Sequence, residues 1–176
     1  MTLVRLPPPG WLPHSLDTFT HGAVLTSTQT ITSTAWPTTN LAIYVPLRVP
    51  VAMVVVKLWY GSGSTGTGSN DIGLYDSNGA RLVSNGNAAK PASATEDVRD
   101  VADTTIGPGL YYLALVASNS TDTYYAETDA APMCAAIGVL TEALGSTVLP
   151  ASASWAVNQT LAYYPRMGLL RDTTVT

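Results

Sequence analysis

Val51-Ala52-Met53-Val54-Val55-Val56-Lys57-Leu58-Trp59-Tyr60 opens the stretch that decides the fold, and Pro108-Gly109-Leu110-Tyr111-Tyr112-Leu113-Ala114-Leu115 closes it. Between them lie a glycine, serine and threonine loop over residues 61–69 and a hairpin pattern over residues 70–84. Apolar run, small-residue loop, hairpin and second apolar run follow one another with no helical period between them. That order predicts an all-β chain: a single-domain antiparallel β-sandwich, jelly-roll-like, over residues 23–176.

Working outward, the threonines at 26, 28, 30, 32 and 34 recur at period two, which places them on one face of a strand. Residues 41–47 form the next expected strand, closed by Pro46 and Pro50, because proline lacks the donor a sheet ladder needs. The run from Val51 is apolar on both faces, as in a central strand. Asn78-Gly79 predicts a two-residue type I′ turn, with Asp76 opposite Arg81 and Leu74 opposite Val83. Asn85-Gly86 is a second turn signal. Residues 96–105 read equally as strand or helical turn. Pro108-Gly109 launches a strand expected to be buried on both sides, residues 134–140 read as a strand, and residues 167–170 as the strand that closes a sheet.

The chain has 176 residues, enough for one domain with a substantial core. Only 11% of them are charged, well under the usual quarter, so Thr, Ser, Asn and Gly must cover the surface. Such a surface is cheap to desolvate, since no ion has to leave water when a partner covers it. With a net charge of −4 and scattered Lys and Arg, no basic stripe exists to neutralise phosphates, and nucleic acid is not an expected partner. No apolar run approaches the roughly 20 residues of a membrane span, and the N-terminus lacks the apolar core of a signal peptide. Cys134 is alone and reads as a small buried hydrophobe.

Residues 1–22 read as an extended proline-rich arm. Pro7-Pro8-Pro9 favours polyproline geometry, which cannot bury its own apolar neighbours. Leu3, Leu6, Trp11 and Leu12 must therefore either fold back on the domain or lie on a neighbour. With Pro7, Pro8 and Pro9 they are the candidate interaction residues.

Candidate chemistry is thin. Gly61-Ser62-Gly63-Ser64-Thr65-Gly66 matches the dinucleotide pattern but runs into a hairpin instead of the helix that would receive a pyrophosphate, and Thr67 stands where a phosphate loop needs lysine. His14, Asp17 and His21 would share one helix face, but Pro13 and Gly22 argue against the helix, and the set is short for zinc. Asp71, Asp76, Glu96, Asp97, Asp100 and Asp103 supply oxygens without a calcium-loop spacing, which leaves calcium open. No nucleophile elbow is present. Tyr111-Tyr112, Tyr124-Tyr125 and Tyr163-Tyr164 offer at most one ring each for stacking on a sugar. Asn119-Ser120-Thr121 and Asn158-Gln159-Thr160 fit the glycosylation pattern and read as turns. No catalytic residues, cofactor or metal are expected, and the chain reads as non-enzymatic.

Residues 41–50, the run Asn70-Asp71-Ile72-Gly73-Leu74-Tyr75-Asp76 with Gly79 and Leu82-Val83-Ser84, and the Pro108-Gly109-Leu110-Tyr111-Tyr112-Leu113-Ala114 strand resemble small β-sandwich virion proteins of tailed bacteriophages. Members of that group are minor tail, head-fibre or capsid decoration proteins. The resemblance spans roughly residues 40–118 and implies a non-enzymatic structural part of the virion, made in the host cytoplasm. It implies other virion proteins as partners, in capsid or tail, together with a homo-oligomer, a trimer favoured. A glycan-binding module that adheres to the host surface is the alternative.

Overall fold

The computed structural model describes residues 18–20, 30–128, 130–157 and 160–172. Among these residues lie fourteen strands and one short helix: β1 (Thr18–Thr20), β2 (Thr30–Ala35), β3 (Leu41–Val49), β4 (Met53–Ser62), β5 (Ser69–Asp76), β6 (Arg81–Ser84), β7 (Ala88–Ala89), β8 (Thr95–Ile106), β9 (Gly109–Ala117), β10 (Thr123–Thr128), α1 (Ala131–Ala136), β11 (Leu140–Ala143), β12 (Ala156–Val157), β13 (Tyr163–Pro165) and β14 (Met167–Arg171). One sheet runs β1-β14-β4-β10-β13, with β2 on β10 and β8 on β4. The other runs β12-β11-β3-β9-β5-β6, with β7 on β5. The pairings are antiparallel, and β3, β4, β5, then β8, β9, β10 and β11 alternate between the sheets, which makes an all-β sandwich with jelly-roll-like switching of layers.

Period-two burial builds the core. Ile43, Val45, Leu47 and Val49 of β3 meet Val55, Leu58 and Tyr60 of β4, Leu113 and Leu115 of β9, and Met167 and Leu169 of β14. The opposite face of β3 and β9 is covered as well. Ala42, Tyr44, Tyr75, Ala114 and Val116 pack under Leu149 and Trp155, which belong to a strap over residues 144–155. Covered on both faces, these strands can be apolar throughout, which is why the β3 and β9 sequences lack alternation.

Four expectations change on contact with the structure. Residues 134–140 are not one strand. α1 carries Pro132 in its first turn and ends at Gly138 (φ +89°), where Gly138 N–H bonds Ala135 O and Val139 N–H bonds Cys134 O. This is a glycine-terminated helix end, and only then does β11 begin. The β5–β6 turn is not type I′, because of its two residues only Gly79 has positive φ. Gly79 N–H bonds Asp76 O and Asp76 N–H bonds Ala80 O, a three-residue loop with a glycine bulge. The bulge slips the register, so Leu74 faces Val83 as expected but Arg81 faces Tyr75, not Asp76. Finally, the loop over residues 61–69 starts later than expected: Gly61 and Ser62 still belong to β4, and with Gly63 they are buried, while Ser64, Thr65 and Thr67 are exposed.

Residues 96–105 resolve as part of the twelve-residue β8. In β2 the Thr32 and Thr34 hydroxyls hydrogen-bond each other at 2.9 Å, as a shared face requires, while Thr26 and Thr28 lie outside the described residues. Thr18–Thr20, within the expected arm, pair with β14.

Candidate functional site

The chemistry-bearing side chains gather at one end of the sandwich, around the loop that leaves β4. Lys90 is buried, and its Nζ donates to Ser62 Oγ (2.8 Å), Gly63 O (3.1 Å), Thr65 O (2.9 Å) and Pro91 O (3.1 Å), with the Tyr124 ring 5.1 Å away. From the other side the buried Asp122 carboxylate accepts Thr67 N–H (2.8 Å), Thr67 Oγ1–H (3.2 Å) and Gly68 N–H (3.1 Å). Asn119 Oδ1 accepts Asp122 N–H (2.8 Å) and Thr121 N–H (3.1 Å), which sets the turn that carries Asp122. The glycines serve close approach: a Cβ on Gly63 would fall on Thr123 Oγ1 and Ser33 Oγ. Burial lowers the Lys90 pKa and nearby Asp122 and Asp97 oppose that. An ammonium surrounded by four oxygens is a staple, because its protons are committed to holding the loop carbonyls together.

A second polar group adjoins it. Tyr60 donates its hydroxyl proton to Asp97 and accepts from Asn70 Nδ2 (2.6 Å) and Arg99 Nη2 (3.2 Å). Arg99 also pairs with Asp97 through Nε (2.9 Å) and donates to Ala89 O (2.8 Å). Burial, then the bond to Asp97, raises the Tyr60 pKa, so the phenol stays protonated and saturated with partners. The acid–base groups here are spent on one another across β4, β5, β7 and β8.

The open feature lies on the outer face of the β3–β9 sheet. A groove of about 410 Å³ is lined by Pro46 and Arg48 of β3, Leu110 and Tyr112 of β9, and Ala136, Ile137 and Gly138 at the end of α1. Its walls are mostly apolar. Tyr112 is half-buried, with its ring 4.6 Å from that of Trp155. Arg48 is exposed at the groove and has no ion-pair partner among the described residues.

No family model, curated protein or solved structure matches the chain. The geometry therefore carries the functional argument.

The residues singled out in the sequence land as follows. Leu3, Leu6, Pro7, Pro8, Pro9, Trp11 and Leu12 lie outside the described residues, as do His14, Asp17 and His21. The glycine pattern at 61–66 leads into β5, and its loop is filled by Lys90 and Asp122. The six acids disperse. Asp71 bonds Leu149 N–H, Asp76 caps its own turn, Asp97 joins Tyr60, Asp100 pairs with Lys57 at 2.9 Å, and Glu96 and Asp103 are exposed on β8. Among the described residues no three His, Cys, Asp or Glu side chains converge as metal ligands. Of the tyrosine pairs, Tyr124 is in the core with Tyr125 half-buried, Tyr163 and Tyr164 are both buried, and Tyr112 reaches the groove. Lys90 and Asp122 have no local signal in the sequence, since apart from Pro91 and Asn119 their side-chain and loop partners are 25 to 55 residues away.

Proposed function

We propose that this protein is a non-enzymatic structural component of a tailed-bacteriophage virion, a capsid decoration or tail-associated sandwich that self-associates and packs on other virion proteins. One observation carries the reading. The buried ionisable side chains described above are committed to holding loops and strands, while the exposed surface is largely uncharged and costs little to desolvate. A scaffold with its reactive groups spent internally and a quiet exterior suits contact, and the resemblance over residues 40–118 points to the same role. The proline-rich arm is the expected docking element.

The test compares the full chain with a chain lacking residues 1–12 for incorporation into particles. The truncated domain should fold, since the first described strand starts at Thr18, yet incorporate poorly. Normal incorporation would remove the arm from the reading, and failure of the full chain to associate with any particle would remove the virion role. Glycan binding is the second reading, favoured by half-buried Tyr112 beside Arg48 in the groove. Binding of a host polysaccharide by the purified protein on a glycan array would put it first.

A further inference from the structure

Charge on the described surface is segregated. The exposed carboxylates, Glu96, Asp100 and Asp103, all lie on β8. The exposed cation is Arg48, on the other sheet, while the remaining described Lys and Arg side chains are buried or half-buried. Among the described residues β8 pairs with β4 alone, so it is an outer strand of the sheet they form. Asp97 reaches Tyr60 in the interior, so by the period of two Glu96, Val98 and Asp100 point the other way. Val98 is 46% exposed between the two acids. The groove offers the complement: Arg48 beside Leu110, which is 37% exposed.

We propose that the outward face of β8 from one copy of this chain docks in the Arg48–Leu110–Ile137 groove of the next, a head-to-tail contact between copies. Two β8 strands laid edge to edge would oppose their acids, which disfavours the symmetric alternative. Seated in the groove, Val98 meets apolar walls while Glu96, on the same face, reaches Arg48, the cation that has no ion-pair partner among the described residues. A contact between two different surfaces repeats from copy to copy and closes into a ring when the rotation allows, as a trimer would. The inference rests on the self-association in the proposed function and names its surface.

The experiment is sedimentation velocity on the full chain, with circular dichroism to confirm folding. Wild type, Arg48→Glu, Glu96→Arg, and both changes together are compared. Each single-surface reversal should weaken self-association about tenfold, and the combined protein should regain most of it, because the ion pair is re-formed with its signs exchanged. Full-strength association of Arg48→Glu overturns the groove contact and leaves self-association intact. Weakening by Arg48→Glu without recovery in the combined protein overturns β8 as the partner surface. A wild-type chain that is monomeric at every concentration overturns the contact together with self-association.

Discussion

Asp71 and Arg81 take hold of Leu149 from its two sides. The Asp71 carboxylate accepts Leu149 N–H at 3.0 Å, and the Arg81 guanidinium donates to the Leu149 carbonyl. Tyr75 donates to the next carbonyl, that of Pro150, at 2.6 Å. Three side chains on β5 and β6 thus tie down the strap that covers Tyr44, Tyr75 and Tyr112. The arrangement has a cost: Asp71 is fully buried and its Oδ1 has no hydrogen-bond partner.

Burial raises the Asp71 pKa, with Leu149 N–H and Arg81 opposing the rise. A carboxyl whose folded pKa lies above its unfolded value binds its proton more tightly in the folded state. Ionised Asp71 therefore costs stability at neutral pH, and the cost is relieved as pH falls through the folded pKa toward the ordinary value near ~4. Asp71→Asn keeps an acceptor for Leu149 N–H and carries no charge. It should raise stability at pH 7 by on the order of 1 kcal/mol, or about 2–4 °C in Tm for a chain of this size. The gain should shrink toward zero as the pH approaches 4. A gain that does not change with pH, or a loss at pH 7, would show that desolvation of the carboxylate does not dominate here. Asp71→Ala is the control. It strands Leu149 N–H and should cost about 1–3 kcal/mol.

Lys90 and Asp122 hold the same loop, one through its carbonyls and one through its N–H groups. Lys90→Met removes the ammonium that these oxygens share, and about 3 kcal/mol of stability should be lost. Asp122→Ala leaves Thr67 and Gly68 N–H unpaired, at about 2 kcal/mol. Once either anchor is gone the loop relaxes and the other anchor has less to hold. The double variant should therefore cost about 1 kcal/mol less than the sum. Urea melts measure the energies, and hydrogen exchange at Thr67 and Gly68 reports the loop. Strict additivity would mean that the two anchors act on independent pieces of structure.

How much of this was legible in the chain follows from what each feature depends on. The sandwich was readable because a strand with one polar face imposes period two, as at Thr32 and Thr34 of β2, and burial on both faces imposes the apolar runs of β3 and β9. Residues 134–140 misled because a short apolar run is ambiguous between strand and helix. Pro132 and Gly138, the marks of a short helix, bracket most of it. β8 was indistinct because its outward positions are acids. The loop staples and the groove were illegible for another reason. Lys90 meets carbonyls of residues 63 and 65, and the groove joins residues 46–48, 110–112 and 136–138, so both exist only once the sheets are assembled.

The β5–β6 hairpin separates two roles for Asp76. A cross-strand ion pair with Arg81 would make its charge matter. In the structure Asp76 Oδ1 instead accepts Asn78 N–H and Ala80 N–H, both at 2.9 Å, while Arg81 is turned toward Leu149. What the turn needs is an acceptor, and asparagine supplies one. Asp76→Asn should therefore fall within about 0.5 kcal/mol of wild type at any salt concentration, whereas Asp76→Ala should lose about 1 kcal/mol. Gly79→Ala should cost more than either of these, roughly 1–2 kcal/mol, because its φ of +88° is unfavourable for any residue with a Cβ. Its added Cβ would also press to 3.2 Å from Ala153 O in the strap. Thermal melts of the three variants at low and high salt decide the matter: a large, salt-sensitive loss in Asp76→Asn would restore the ion pair and overturn the turn-capping role.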